Sequence, residues 1–278
     1  MPTFATPEPI TLRLRLRSGD VIIEASDRDS TEVEVRPSNP NRSADLDAVE
    51  ETLVEHHDGV IVVEARDHGP RGSDGSVHVR VALPTGSDID GHKASADLRA
   101  TGRLGTVSLN TASGDVQLEH VGPLSIKSAS GDIRCQVVDG DVKVESASGD
   151  ITLPEVHGSV QISSASGDID LGQVDGDVRM QSASGDGTVR SAGGSVEVKT
   201  ASGDMTIGSF HRGQASVDAA SGDITIAVAR GVSAWLDVSS LTGSVRSALE
   251  ESDGPADSED TVEIRARTLS GDISITRA

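Results

Sequence analysis

A short motif that returns at an almost fixed interval constrains the fold of this chain more than any other feature of its sequence. The motif, Ala-Ser-Gly-Asp, occurs seven times between residues 111 and 223, and its aspartates lie 17, 18, 18, 18, 18 and 19 residues apart. A weaker copy lies midway, so the unit is about nine residues long and two units make one repeat. A period near 18 with a strand in each half predicts stacked coils. The seven aspartates are Asp115, Asp132, Asp150, Asp168, Asp186, Asp204 and Asp223.

Each unit carries the pattern of a short, half-buried strand. Val142 and Val144 alternate with Lys143, and Ile151 and Leu153 repeat the pattern in the next half. One unit has too little apolar surface to fold alone, but stacked units bury their aliphatic side chains in continuous ladders. The predicted fold is therefore all-β, a single-stranded parallel β-solenoid (β-helix) of ~18-residue coils with a β-rich N-terminal cap region. The nine-residue half-period favours two faces.

The sequence divides into four segments of one domain. Residues 1–92 are predicted as an N-terminal β region that caps the solenoid and leads into it, and residues 93–246 as the solenoid repeats. Residues 247–260 are acidic and are predicted as a flexible loop, and residues 261–278 as the closing strands. The first segment is expected to hold separate strands at 10–17 and 21–25, a strand at 33–36, a short helix or turn at 44–51, a hairpin at 53–65 and a strand at 77–83.

Composition limits the classes of function. A net charge of −21 without a basic stripe or an aromatic platform argues against nucleic-acid binding. No run approaches 18 consecutive apolar residues, so no membrane span is predicted. The first nine residues have neither a basic nor an apolar signal region, and a cytoplasmic location is therefore expected. The one cysteine, Cys135, takes the place of an inward valine or isoleucine and is predicted to be a buried core thiol.

The chain resembles the bacterial putative-adhesin family of β-strand-repeat proteins, a domain of unknown function common in actinobacteria. The resemblance rests on the Ser-Gly-Asp repeats, on the run Trp235 to Ser240, on the opening Ser18 to Val21 and on the closing Thr268 to Ile273. It covers nearly the whole chain. It implies a single-stranded β-solenoid and an adhesin-like module.

The aspartate column is the candidate site. In stacked coils the seven aspartates lie roughly 5 Å apart, where neighbouring charges repel by about 3 kcal/mol at an effective dielectric of 20. The favoured interpretation is that the carboxylates cap turn amides and remain solvated. The alternative is a calcium site, as in nonapeptide rolls, although a corner with one glycine followed at once by aspartate is short for six to eight oxygen ligands.

No catalytic grouping and no cofactor site is predicted. Two columns of serines also repeat with the coils. They are not accompanied by both a histidine and a carboxylate at repeated positions, and corner hydrogen bonding explains them. The columns are Ser128, Ser146, Ser164 and Ser182, and Ser130, Ser148, Ser166 and Ser184. The histidines, among them His56, His57, His120, His157 and His211, show no metal-ligand spacing and are expected to be exposed turn residues. The basic row Arg13, Arg15 and Arg17 is expected to pair with nearby acids.

These observations predict a non-enzymatic interaction or scaffold module with an unidentified protein partner. Two alternatives stay open. A self-assembling cytoplasmic scaffold like the bactofilin solenoids requires an uncapped end, and a calcium-binding surface adhesin requires export. Solenoid enzymes that act on polysaccharides are the enzyme alternative, but a chain with one tryptophan and no tyrosine lacks the stacking surface that sugars usually need.

Overall fold

The computed structural model describes residues 2–65, 75–249 and 261–278, which form two compact units, residues 1–137 and 138–278. Of the acidic loop predicted at 247–260, residues 250–260 lie outside the described residues. Within the described ranges, no helix is both long enough and apolar enough to cross a membrane.

The first unit is almost entirely β. Its one helix among the described residues, α1 (Ser43–Glu51), lies between β3 and β4. The strands are β1 (Thr3–Ala5), β2 (Thr11–Ser26), β3 (Ser30–Pro37), β4 (Thr52–His57), β5 (Val60–Ala65), β6 (Val77–Pro84), β7 (Asp88–Arg103), β8 (Val107–Ser113), β9 (Val116–Val121), β10 (Leu124–Ser128) and β11 (Ile133–Val138).

The first two coils are formed by long continuous strands. The separate strands predicted at 10–17 and 21–25 are one strand, β2, and that prediction was wrong. Gly19, at φ +130°, carries the backbone through the corner without ending the strand. β2 pairs in parallel with β7 on one side, so the coil pattern already includes residues 11–26 and 88–103. On its other side β2 pairs with β5 and then with β6.

The parallel strands β5 and β6 cover the first coil, and antiparallel strands pair with them in turn. β4 pairs with β5 through the predicted turn at Asp58 and Gly59, and β3 pairs with β6, with β1 outside β3. The predicted hairpin, the strand near 33–36 and the helix are confirmed. The helix buries Asp45 rather than Leu46, because the Asp45 carboxylate accepts the N–H groups of Asn39 and Ser76. The first unit therefore has the β-rich cap that a solenoid needs at its terminal coil.

The second unit consists of short strands in regular succession. They are β12 (Val142–Ser146), β13 (Ile151–Val156), β14 (Val160–Ser164), β15 (Ile169–Val174), β16 (Val178–Ser184), β17 (Gly187–Ala192), β18 (Val196–Ser202), β19 (Met205–Phe210), β20 (Gly213–Ser221), β21 (Ile224–Val228), β22 (Ser233–Ser240), β23 (Val245–Ser247), β24 (Thr261–Ser270) and β25 (Ile273–Arg277).

Each of these coils has two strands, and from β12 to β19 each strand pairs in parallel with the strand two along the chain. Val142 lies beside Val160, which lies beside Val178, and the same register continues through Val196. This pairing is the predicted parallel β-solenoid, and the ladders of inward side chains are its core. One coil substitutes Gly187 in its ladder, and the methionines Met180 and Met205 fill that space.

The last coils do not follow the order of the sequence. β24 pairs with β20 on one side and with β22 on the other, and β25 likewise lies between β21 and β23. The C-terminal segment is therefore an inserted coil, and the coil of β22 and β23 is outermost in this unit. The predicted closing strands, β24 and β25, are present, but they lie inside the stack, between the coil of β20 and β21 and the coil of β22 and β23.

Candidate functional site

Each aspartate of the column follows a glycine at a corner between two strands. Gly167 has a backbone φ of +110°, a conformation that residues with a Cβ atom rarely adopt. A Cβ built on Gly167 would lie 2.3 Å from the carbonyl oxygen of Gly149, one coil earlier. The corner is thus both left-handed and in tight contact with its neighbour, which explains why glycine returns in nearly every repeat. The aspartate that follows this glycine in the chain directs its carboxylate towards the next coil.

The aspartates form a hydrogen-bonded ladder. In the steps within each unit, the Oδ1 atom of one aspartate accepts the backbone N–H of the next aspartate in the column. In the second unit the donor to acceptor distances are 2.9 Å for Asp168 to Asp150, 2.9 Å for Asp186 to Asp168, 2.8 Å for Asp204 to Asp186 and 2.8 Å for Asp223 to Asp204. In the first unit, Asp132 donates to Asp115 at 3.0 Å.

The ladder also includes residues that the sequence pattern did not place in it. Asp97 accepts the N–H of Asp115 at 2.9 Å, although its motif has Ala96 instead of glycine. Asp272 donates to Asp223 at 2.7 Å and accepts the N–H of Ser244 at 2.8 Å. The bond from Ser244 lowers the pKa of the Asp272 carboxyl. The ladder therefore passes through the inserted coil before it reaches the outermost one.

This geometry assigns a structural task to the column. Each carboxylate satisfies a corner amide that faces solvent, as a side chain does at the start of a helix. The bond also offsets part of the repulsion between stacked charges, because each negative group receives a peptide N–H. Among the residues that the structure describes, no three acidic, histidine or cysteine side chains are arranged to hold a metal ion.

The opposite corners of the second unit use the same device with alternating chemistry. Asp141 and Asp177 accept the N–H groups of Ser159 and Ser195 through Oδ1, at 2.9 and 2.7 Å. Ser159 in turn accepts the N–H of Asp177 through its hydroxyl oxygen at 3.3 Å, and Ser195 accepts that of Gln214 at 3.3 Å. A hydroxyl in alternate coils caps the amide while halving the charge of the column.

The serine columns hold their own corners. The serine or threonine just before the Ala-Ser-Gly-Asp motif donates its hydroxyl to the carbonyl oxygen two residues on, for example Ser146 to Ser148 at 3.1 Å and Ser164 to Ser166 at 3.0 Å. The same bond forms at Thr111, Ser128, Ser182, Thr200 and Thr268. The prediction of corner hydrogen bonding is confirmed.

One histidine has a polar environment that the sequence analysis did not identify. The Nδ1 atom of His157 lies 2.9 Å from Oδ2 of Asp175, and its Nε2 atom lies 3.2 Å from Oε1 of Glu155. The hydrogen bond with Asp175 raises the pKa of His157 and lowers that of Asp175. Their 18-residue spacing, one full coil, is the sequence signal that could have revealed the pair.

Two titratable side chains are buried in the first unit. Cys135 is fully buried, as predicted, and burial raises the pKa of its thiol to about 12. Lys93 is 5% exposed and stands in the serine and threonine column, where its Nζ donates to the carbonyl oxygen of Ala96 at 3.2 Å. Burial lowers the pKa of Lys93 to about 8.

Of the basic row, Arg13 pairs with Asp90 at 3.2 Å, as expected.

Several solved structures are similar to this chain over nearly its whole length. A "putative adhesin" from Parabacteroides merdae is 12% identical, with 99% of this chain and 95% of that chain covered and a TM-score of 0.44. A "putative adhesin" from Parabacteroides distasonis is 14% identical (99% and 95% covered, TM-score 0.36). A "putative lipid binding protein" from the same species is 12% identical (99% and 96% covered, TM-score 0.40).

Comparison with curated protein sequences gives no significant match. A family model does match, in two overlapping stretches, residues 10–207 and 123–276. These stretches contain the motif aspartates, the inserted C-terminal coil and the outermost coil described above. The chain therefore belongs to the Toastrack DUF4097 family.

Proposed function

We propose that this chain is a non-enzymatic interaction or scaffold module, adhesin-like as its family resemblance implies, that acts in the cytoplasm. The observation that carries the proposal is the use of the repeated polar groups. The motif aspartates and serines that would be candidates for chemistry are bonded to the backbone of the coils. These bonds stabilise the sheet, and the outward side chains of the sheet are the groups that would contact a partner.

The favoured partner surface is the outward face of β12, β14, β16 and β18. Parallel register aligns its charged side chains in rows, with Arg179 bonded to Glu197 at 2.9 Å and Lys199 to Glu197 at 2.8 Å. The hydrogen bonds from Lys199 and Arg179 lower the pKa of Glu197, which favours its ionised carboxylate. Fixed mixed charges of this kind favour recognition by electrostatic complementarity.

A matched pair of charge reversals tests this proposal. Arg179 and Arg190 are both exposed and each pairs with an acid one coil away, but Arg179 lies on β16 and Arg190 on β17, the two strands of one coil. The tagged protein is used to capture proteins from a cell extract, with R179E and R190E compared with the wild type. The proposal expects a partner that R179E loses and R190E retains. Failure of the wild type to capture any protein, or equal capture by both variants, would contradict it.

The calcium-binding adhesin is the second candidate, and the aspartate column is the feature that favours it. If calcium binds there, a chelator lowers the melting temperature and added calcium restores it. Our proposal expects the same melting temperature in both conditions, because the carboxylates already cap amides. Cell fractionation tests the location, and recovery of the protein outside the cell would favour the adhesin.

A further inference from the structure

The outermost strand of the second unit, β22, is paired on one side only. It pairs in parallel with β24, and none of the strands in the described ranges pairs with its other side. From Ala234 to Ser240, a strand edge of this kind presents a row of N–H and C=O groups that is a template for another strand.

The side chains of this coil are also less buried than those of the coils inside the stack. Ile264 of β24 is fully buried, whereas its neighbour Leu236 on β22 is half-buried. Trp235 is 54% exposed and Val245, on β23, is 43% exposed. The apolar interior of the stack is therefore open at this coil, and apolar surface exposed in a contiguous patch marks an interaction site.

The sequence of β22 lacks three features by which proteins prevent strand pairing. In the first unit, the outer strand β1 is three residues long and lies between Pro2 and Pro7. β22 has eight residues without proline or lysine. Its one charged side chain, Asp237, is neutralised by Arg267 at 3.0 Å. Short strands, prolines and lysines are the usual protection of an edge, and β22 lacks all three.

We propose that β22 is the contact strand of a symmetric dimer, in which it pairs antiparallel with β22 of a second copy. An open-ended assembly requires two different free edges that fit each other. Among the described residues, the first unit also has a strand that is paired on one side only, β4, but it has six residues and carries Glu55, His56 and His57, so it is a short, polar edge that does not match β22. The free edge that remains is satisfied by its own copy through a two-fold axis, and growth stops at two chains.

One register suits this pairing best. With Leu236 opposite Leu236 of the second copy, residues 234–238 pair, and Ala234 faces Val238, so the inward apolar side chains meet. A shift of half a residue would place inward side chains opposite outward ones. A centre at Asp237 would oppose two carboxylates, and a centre at Trp235 would leave the second half of the strand unpaired.

A cysteine placed on the two-fold axis tests the register directly. In the predicted dimer the two Cβ atoms at position 236 lie about 5 Å apart, close enough for a disulfide after a small shift. We expect L236C to form a covalent dimer under mild oxidation. S239C is the matched control, since residue 239 lies three residues from the two-fold axis and roughly 20 Å from residue 239 of the second copy. Cys135 is fully buried and does not interfere. No covalent dimer with L236C, or equal dimers with both variants, overturns the proposal.

Sedimentation tests the dimer without oxidation. We expect the wild type to shift from monomer to dimer with concentration, and more so at high salt, because screening weakens the repulsion between chains of charge −21. L236K places a charge in the open edge and should reduce dimer formation at least tenfold, whereas L46K, on the exposed side of α1, should not. Circular dichroism verifies that both variants are folded. A wild type that stays monomeric at all concentrations, or a folded L236K that dimerises normally, overturns the proposal.

Discussion

The inner coils of the second unit and its outermost coil have the same strand pattern but different environments. Leu171, in an inner coil, is fully buried, whereas Leu236, at the equivalent kind of position in the outermost coil, is half-buried. The difference arises from stacking, because each inner coil is covered on two sides and the outermost coil on one. Periodicity therefore specifies which side chains point inward, and neighbouring coils determine how much these side chains stabilise the fold.

The largest difference between the two regions is expected for leucine truncation. L171A should lower the free energy of unfolding by about 2–5 kcal/mol, because it leaves a cavity between covered coils. L236A should cost about 1 kcal/mol, since the side chain is already partly hydrated. Urea unfolding of both variants at low protein concentration measures the contrast. Equal losses would mean that the outermost coil is covered in solution.

Glycine corners give the second contrast. G167A should cost about 2–4 kcal/mol, because alanine is strained at this φ and its Cβ would meet the carbonyl oxygen of Gly149. Gly231, in the turn before β22, has φ +77° and no atom within 4 Å of the position of a Cβ. G231A should therefore cost only the strain, about 1–2 kcal/mol. Thermal unfolding of the two variants separates the cost of the steric contact from the cost of the backbone strain. Similar losses of stability in G167A and G231A would argue against tight stacking at the corners.

The aspartate ladder is the third point of comparison. D186A should lower stability by about 0.5–2 kcal/mol, the usual loss for a removed cap. D186N keeps an oxygen that can accept the N–H of Asp204 and also removes one charge from the column, so it should be close to neutral. If both variants lose equal stability, the charge rather than the capping bond is what the corner requires.

The smallest effect concerns the His157 and Asp175 pair. A bond to Asp175 raises the folded-state pKa of His157 above 6.5, so its stabilisation is complete below that pH and is lost as pH rises through the folded-state pKa. NMR titration should show a raised pKa for His157 in the wild type and a lower one in D175N. H120Q, which changes a different histidine, is the control and should leave the His157 titration unchanged.

Much of this architecture was predictable because it repeats. The strands, the two-strand coil, the ladders of buried aliphatic residues and the buried thiol of Cys135 follow from a nine-residue alternation of apolar side chains and corner glycines. The role of the aspartates in capping also followed from their position after glycine. The bonds that carry it out are in the structure.

The departures from prediction lie where the repeat is interrupted. Residues 11–26 form one strand because a glycine corner need not end a strand. Asp97 joins the ladder although alanine precedes it, which a search for Gly-Asp does not find. The inserted coil could not be predicted from spacing, since Asp272 is separated by 49 residues from Asp223, its neighbour in the column.

The stacking order of the last coils is tested most directly by amide hydrogen exchange, which shows which strands are paired on both sides. At a protein concentration low enough to keep the chain monomeric, the amides of Thr261–Ser270 should exchange slowly, because β24 is paired on both sides. The amides of Ser233–Ser240 should exchange faster, because β22 is an edge. Slow exchange in β22 together with fast exchange in β24 would mean that the coils stack in sequence order, and it would contradict the inserted coil.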